Sequence, residues 1–128
     1  MARLIADTNL IIDLERGKAM PLVNDDDEIV ISSITASELI SGVALAAPDR
    51  QPKRAAFVEQ VLAELPIIDF DLNVARVHGR LCAAMRKAGT PRGAYDLMIA
   101  ATAIAEDRPL LTRDTGFAGI PDLRLLLV

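Results

Sequence analysis

The chain has 128 residues, a net charge of -4 and 52% hydrophobic residues, with no Trp and one Tyr. This length suits one domain over residues 1–128, and the aliphatic excess favours a sheet covered by helices on both faces. Taken alone, the acidic balance argues against a passive nucleic-acid binder. The single Cys82 excludes an internal disulfide, and no apolar run is long enough to span a bilayer. We therefore expect a cytoplasmic protein.

Hydrophobic periodicity and turn residues divide the chain into alternating strands and helices. The predicted strands cover residues 3–7, 28–31, 67–70, 109–112 and 123–128. The predicted helices cover residues 8–16, 36–46, 53–65, 72–88 and 94–105. A Gly-rich turn precedes the last strand. This alternation predicts a three-layer α/β/α domain with a central, mainly parallel sheet of about five strands.

The two long helices in the second half of the chain differ in their patterns. Asp71 is predicted to cap the first, which has an apolar stripe at three-four spacing from Val74 to Ala88. The second, residues 94–105, is apolar nearly all round and should be buried, with Asp96 in its first turn.

Four acidic residues lie where a predicted strand ends or a predicted helix begins. They are Asp7, Glu38, Asp96 and Asp114. The carboxyl ends of parallel strands share one edge of a sheet, where ligands bind. Two unit charges about 5 Å apart repel by roughly 3 kcal/mol at an effective dielectric constant near 20, so such a cluster would need protonation, separation or a cation. Carboxylates without a His or Cys partner favour Mg²⁺ or Mn²⁺, and hence phosphate chemistry.

Each acid also has an ordinary structural interpretation. Asp7 could cap the first helix, Thr35-x-x-Glu38 matches a capping box, Asp96 suits a helix dipole, and Asp114 could form an Asx-turn. Four acids at the same edge, with no basic residue beside three of them, are better explained by a shared site.

The same segments resemble a known family. They are Asp7-Thr8-Asn9, Ser33-x-Thr35-x-x-Glu38-Leu39, Asp96-x-x-Ile99-Ala100-Ala101-Thr102-Ala103 and Leu111-Thr112-Arg113-Asp114-x-x-Phe117. In this order and at this chain length they resemble the PIN-domain ribonucleases, most closely the VapC-type toxins of toxin–antitoxin pairs. Residues 90–93 depart from the pattern, because they carry no acid where some relatives have one.

The resemblance implies a PIN-like fold and a metal-dependent endoribonuclease that acts as a type II toxin. Asp7, Glu38, Asp96 and Asp114 would be the catalytic, metal-binding residues for one or two Mg²⁺ or Mn²⁺ ions. Supporting positions would be Thr8, Asn9, Thr112 and Arg113, the last of which could contact a phosphate or balance the acids. The implied partners are an RNA substrate, a small cognate antitoxin and a second copy of the chain.

Several other polar residues have both a structural and a functional interpretation. Asp13 lies six residues beyond Asp7 and should point to a different face, and His78 should be structural. The basic residues of one helix face could follow an RNA backbone or could simply be solvated. They are Arg76, Arg80 and Lys87.

Two rival functions also use acids at strand ends, and a third rival is not an enzyme. A receiver domain would need a lysine on a late strand, but the lysines are at positions 18, 53 and 87. A haloacid-dehalogenase-type phosphatase would need an acid where the chain has Asn9. A degenerate PIN-like module that only binds protein remains the alternative, and it is less favoured because all four acids are present.

Overall fold

The computed structural model of the protein describes residues 1–18 and 24–128, and its sheet has five parallel strands. They are β1 (Arg3–Ala6), β2 (Glu28–Ser32), β3 (Ile67–Ile68), β4 (Leu110–Thr112) and β5 (Leu125–Leu127). The helices are α1 (Thr8–Glu15), α2 (Ser33–Leu45), α3 (Gln51–Glu64), α4 (Leu72–Lys87) and α5 (Ala94–Ala105), with a short 3-10 helix at Thr115–Gly119. The predicted α/β alternation is therefore confirmed.

The order of the strands creates a crevice at the centre of the sheet. That order is β3-β2-β1-β4-β5, and every neighbouring pair is parallel. The chain builds outwards from β1 to β3 on one side and then returns to place β4 and β5 on the other. In open α/β sheets ligands bind where the order reverses, which here is the carboxyl end of β1 and β4.

Two apolar clusters lie on opposite faces of this sheet. Ile5 of β1 packs in the cluster that includes residues of α4 and α5, whereas its neighbours Leu4 and Ala6 pack in the cluster that includes residues of α1, α2 and α3. This alternation follows from the two-residue period of a strand. The predicted three-layer arrangement is therefore confirmed.

Helix boundaries agree with the prediction to within two residues except at α2. Helix α5 begins and ends at the predicted residues, and Asp71 caps α4 by accepting a hydrogen bond from Val74 N. Helix α2 begins earlier, at Ser33, because the Ser32 hydroxyl accepts from Thr35 N and acts as the N-cap. The capping-box interpretation of Thr35 was therefore wrong.

The helices of residues 1–18 and 24–128 were compared with the requirements of a membrane span. None of the helices described there combines the length and the apolar composition that a membrane span requires.

Candidate active site

The structure brings the four acidic residues together at the carboxyl edge of the sheet. They line one small depression of about 50 Å³. The residues that line it are Asp7, Thr8, Asn9, Glu38, Asp96, Ile99, Asp114 and Phe117. The depression lies at the crevice that the strand order creates. The fold thus places residues that are distant in sequence around one polar pocket.

Asp7 is the most enclosed of the four acids, with 4% of the residue exposed. Its Oδ1 accepts a hydrogen bond from Leu10 N at 2.9 Å, so it caps α1. Its Oδ2 accepts from Thr112 Oγ1 at 2.5 Å, and the same Thr112 oxygen accepts from Asp114 N at 3.0 Å. Thr112 therefore ties the acid after β1 to the acid after β4.

Burial raises the pKa of Asp7 above its usual value, because the ionised carboxylate is removed from water. The hydrogen bonds from Thr112 and Leu10 lower this pKa in part, and the negative charges of Asp114 and Asp96 raise it further. The carboxylate of Asp7 is thus repelled by two of the other three acids.

This shift predicts that Asp7→Asn stabilises the ion-free protein at neutral pH. A folded pKa above the usual 3.9 means that the ionised carboxylate opposes folding once pH exceeds the folded pKa, and that this cost disappears below the unfolded pKa. In EDTA the melting temperature should therefore rise by roughly 3–6 °C at pH 7 and by much less at pH 3. Asp49→Asn, an exposed change between α2 and α3, is the control. A gain that is equal at both pH values would contradict the electrostatic cause.

A chain of hydroxyl groups orients Glu38. Thr8 Oγ1 lies 2.7 Å from Glu38 Oε1 and 3.0 Å from Thr35 Oγ1, and Ser32 Oγ lies 3.3 Å from Thr35 Oγ1. Because Thr8 has one hydroxyl hydrogen and the carboxylate can only accept, Thr35 donates to Thr8 and Ser32 donates to Thr35. The three hydroxyl residues are buried, so each fixes the next. Sequence reasoning missed Ser32 and gave Thr35 only a capping role, although Ser32-x-x-Thr35 at the start of a helix was a usable signal.

Arg92 joins the two acids on the other side of the depression. Its Nη2 donates to Asp114 Oδ2 at 2.6 Å, and its Nε lies 3.2 Å from Asp96 Oδ2. Its guanidinium carbon lies 4.7 Å from the centre of the Phe117 ring. A hydrogen bond from Gly116 N is the main reason that the pKa of Asp114 lies below its usual value; burial opposes this shift and Arg92 adds to it.

Three of the acids have no basic residue beside them in the sequence, but in the structure Arg92 contacts Asp96 as well as Asp114. Sequence reasoning assigned no role to Arg92, which lies in the segment 90–93 that carries no acid. The usable signal was its position four residues before Asp96, across the start of α5, where an ion pair can form.

Comparison with known proteins decides the family. The PIN domain family model matches residues 4–123. The chain belongs to the PIN-domain family. The predicted resemblance is therefore confirmed, and the matched region includes all four acids.

Similar PIN-domain proteins match along nearly the whole chain. One is the Ribonuclease VapC of Rickettsia bellii (strain RML369-C), 34% identical over 128 residues that cover 98% of this chain and 96% of that protein. Another is the tRNA(fMet)-specific endonuclease VapC of Salmonella typhimurium, 32% identical over 131 residues that cover 98% and 97%. Among solved structures, VapBC2 from Rickettsia felis bound to a promoter DNA fragment has a TM-score of 0.89 at 28% identity and 98% coverage of both chains. DNA-bound VapBC from Salmonella typhimurium has a TM-score of 0.88 at 30% identity, again with 98% coverage of both chains.

Arg113 contacts Asp13 in this PIN domain. Arg113 Nη1 donates to Asp13 Oδ2 at 2.6 Å, and Lys18 Nζ lies 3.6 Å from Asp13 Oδ1. Neither Arg113 nor Asp13 is among the residues that line the depression. A contact between Arg113 and a substrate phosphate stays a prediction.

His78 occupies a structural position on α4. Its ring meets Phe70 edge-on at a centroid distance of 5.5 Å, and its Nε2 lies 3.3 Å from Cys82 Sγ. These contacts agree with the expected structural histidine. The predicted basic face on the same helix is exposed, and it comprises Arg76, Arg80 and Lys87.

The chemistry of the donor set fits a hard divalent cation. Carboxylate, hydroxyl and amide oxygens surround the PIN-domain depression, and a cation would offset both the cost of burying the Asp7 carboxylate and the smaller repulsion from Asp114 and Asp96. Within the described part of the chain, no three acidic, His or Cys side chains are placed closely enough to form a ready-made ion site. The guanidinium of Arg92 lies between two of the candidate ligands.

Proposed function

We propose that this PIN-domain protein is a metal-dependent endoribonuclease and the toxin of a type II toxin–antitoxin pair. The observation that supports this most strongly is the gathering of four acids at the crevice of the sheet. The full-length similarity to proteins named ribonuclease and tRNA-specific endonuclease supports RNA as the substrate. We expect the protein to act in the cytoplasm.

In this proposal Asp7, Glu38, Asp96 and Asp114 hold Mg²⁺ or Mn²⁺. The chemistry that such an ion supplies when bound is a lower pKa for its water and stabilisation of charge on the phosphate. The network around Thr112 and the hydroxyl chain at Glu38 keep the carboxylates oriented. The oxygen of water forms a bond to phosphorus, the bond to the 3′ oxygen breaks, and that oxygen takes a proton. The products are a 5′-phosphate and a 3′-hydroxyl, and no side chain has to act as a covalent nucleophile.

An antitoxin is the partner that we propose for the groove between α2 and α3. This groove has a volume of about 290 Å³ and is lined by apolar residues that include Val43 and Val58. On α2, Ile40 and Leu45 are 52% and 83% exposed. The similar solved structures are VapBC toxin–antitoxin complexes, which supports a segment of a small antitoxin as the occupant. A basic antitoxin side chain that reached the four acids of the depression would suit their negative charge. We also propose a homodimer, which light scattering at micromolar concentration can test.

Sequencing of RNA ends in cells shortly after induction of the protein tests the proposed activity. We expect new 5′-phosphate ends at a defined RNA sequence with the wild type and none with Asp96→Asn. If the wild type and Asp96→Asn give the same ends as uninduced cells, the degenerate protein-binding module becomes the better interpretation.

The exposed basic face of α4 gives a separate prediction about RNA binding. Simultaneous replacement of Arg76, Arg80 and Lys87 with Ala should weaken RNA binding and flatten its dependence on salt, because fewer counterions are released. Turnover at saturating RNA should change little, because this face would contribute uniform binding. Filter binding at several salt concentrations provides the measurement.

A control variant removes the same charge elsewhere on the exposed surface. It replaces Arg3, Arg50 and Lys53 with Ala. If both triple variants bind RNA with the same affinity and salt slope, the face on α4 is ordinary solvated surface.

A further inference from the structure

The guanidinium of Arg92 is enclosed beside the acidic depression, against three of the residues that line it, Asp96, Asp114 and Phe117. Only 20% of the Arg92 side chain is exposed. It contacts Asp114 at 2.6 Å and Asp96 at 3.2 Å, and it packs on the face of Phe117, which is itself buried. An enclosed arginine that is hydrogen-bonded to Asp114, ion-paired with Asp96 and stacked on a buried ring has lost most of its freedom. Its charge is therefore a fixed part of the site.

Gly116 provides the space that this guanidinium occupies. A Cβ atom at position 116 would lie 2.0 Å from Arg92 Nη1 and 2.8 Å from Arg92 Cζ. Any other residue at this position would therefore displace the end of the Arg92 side chain. The backbone amide of the same glycine donates to Asp114 Oδ1 at 2.8 Å. The 3-10 helix thus shapes a seat for the arginine and at the same time holds the acid that binds it.

The contacts of Arg92 change the charge that is left for metal ions. Four carboxylates carry four negative charges, and Arg92 adds a positive charge next to two of them. Both carboxylate oxygens of Asp114 already accept hydrogen bonds, one from Arg92 and one from Gly116 N. A cation close to Asp114 would have to displace a guanidinium that is held on three sides. Asp7 and Glu38 have no guanidinium bound to them among the described contacts.

We propose that Arg92 takes the place of a second cation, so that the depression binds one divalent ion. This rests on the proposed function, which supplies the first ion. Asp7, Glu38 and the Asp96 oxygen that does not contact Arg92 would bind that ion. Asp114, which the proposed function counts among the metal ligands, would instead bind the arginine. Two-metal sites place their ions roughly 3.5–4 Å apart to stabilise both reacting oxygens of a phosphodiester. Here the guanidinium, a planar donor suited to phosphate, supplies the positive charge on one side.

Counting of bound Mn²⁺ ions tests this proposal without any need for catalysis. Electron paramagnetic resonance titration of the metal-stripped protein should give one bound Mn²⁺ per chain in the wild type and two in Arg92→Gln. Gly116→Ala should also bind two, because it keeps every charge while its Cβ fills the seat of the guanidinium and, at 2.9 Å, also presses on Asp114 Oδ1, the acid that holds it there. Arg86→Gln, the loss of an exposed arginine at the end of α4, should still bind one. Arg92→Lys, which keeps the positive charge, should remain closer to one than to two.

The melting temperature provides a second readout. In EDTA, Arg92→Gln should melt below the wild type because two acids lose their counter-charge, and Mn²⁺ should raise its melting temperature more than that of the wild type. Two ions in the wild type, or one ion in both Arg92→Gln and Gly116→Ala, would overturn the proposal. Cleavage assays on the same samples separate the two claims. Two ions in a wild type that cleaves RNA would refute only the role of Arg92, whereas no bound Mn²⁺ and no cleavage would refute the proposed function as well.

Discussion

Asp7→Asn and Asp96→Asn are each expected to slow RNA cleavage by roughly 100-fold or more, which is the scale of losing one group that stabilises charge in a transition state. Each change keeps the shape of the side chain but removes a negative charge from the depression. The amide of Asn can still accept a hydrogen bond from Leu10 N, so Asp7→Asn preserves the cap of α1. Cleavage rates at saturating RNA and Mn²⁺, together with circular dichroism spectra, give the measurement.

The exposed variant Asp49→Asn is the matched control, because it removes the same charge outside the depression. It should cleave RNA at the wild-type rate. Wild-type rates in both Asp7→Asn and Asp96→Asn would show that the depression is not the catalytic site.

Thr112→Val is expected to destabilise the protein by about 1–3 kcal/mol, the usual cost of leaving buried polar groups without partners. The residue is fully buried, and valine has nearly the same shape as threonine. The change removes the hydrogen bond to Asp7 Oδ2 and the acceptor for Asp114 N. Because the Thr112 bond lowers the pKa of Asp7, its loss should raise that pKa further, and the destabilisation should be larger at pH 7 than at pH 3.

Thr112→Ser is the control for this prediction, because it keeps the hydroxyl group and loses only a methyl group. Urea denaturation of both variants at the two pH values measures the difference. If valine and serine cost the same free energy of unfolding at both pH values, the hydroxyl does not support Asp7.

Local patterns in the sequence were sufficient to predict most of the fold and the position of the acids. Strand and helix periods depend on neighbouring residues, so α5 could be placed at its observed boundaries. The convergence of Asp7 and Asp114 followed from a general property of parallel sheets, in which successive strand ends share one edge. The structural interpretations of Asp7 and Asp114 were also right, whereas that of Glu38 as part of a capping box was wrong. Asp7 caps α1 and Asp114 caps the 3-10 helix, so one carboxylate can serve both the fold and the site.

Two contacts that complete the depression could not be predicted, because they join residues far apart in the chain. The bond between Arg92 and Asp114 spans 22 residues, and the bond between Thr8 and Glu38 spans 30. Neither hydrogen bond follows from a repeating pattern of neighbouring residues. The space that Arg92 occupies also depends on the absence of a side chain at Gly116. Such a contact is specified only when the sheet, α5 and the 3-10 helix are assembled.

The dependence of RNA cleavage on added metal tests the central claim most directly. The purified wild-type protein should be stripped with EDTA, dialysed and assayed on total RNA across a Mn²⁺ titration, with Asp7→Asn beside it. We expect no cleavage without metal, recovery of cleavage as Mn²⁺ is added, and fragments with 5′-phosphate ends that Asp7→Asn does not produce. Cleavage by the wild type at the same rate in EDTA as in saturating Mn²⁺ would contradict the claim that these four acids form a metal-dependent nuclease site.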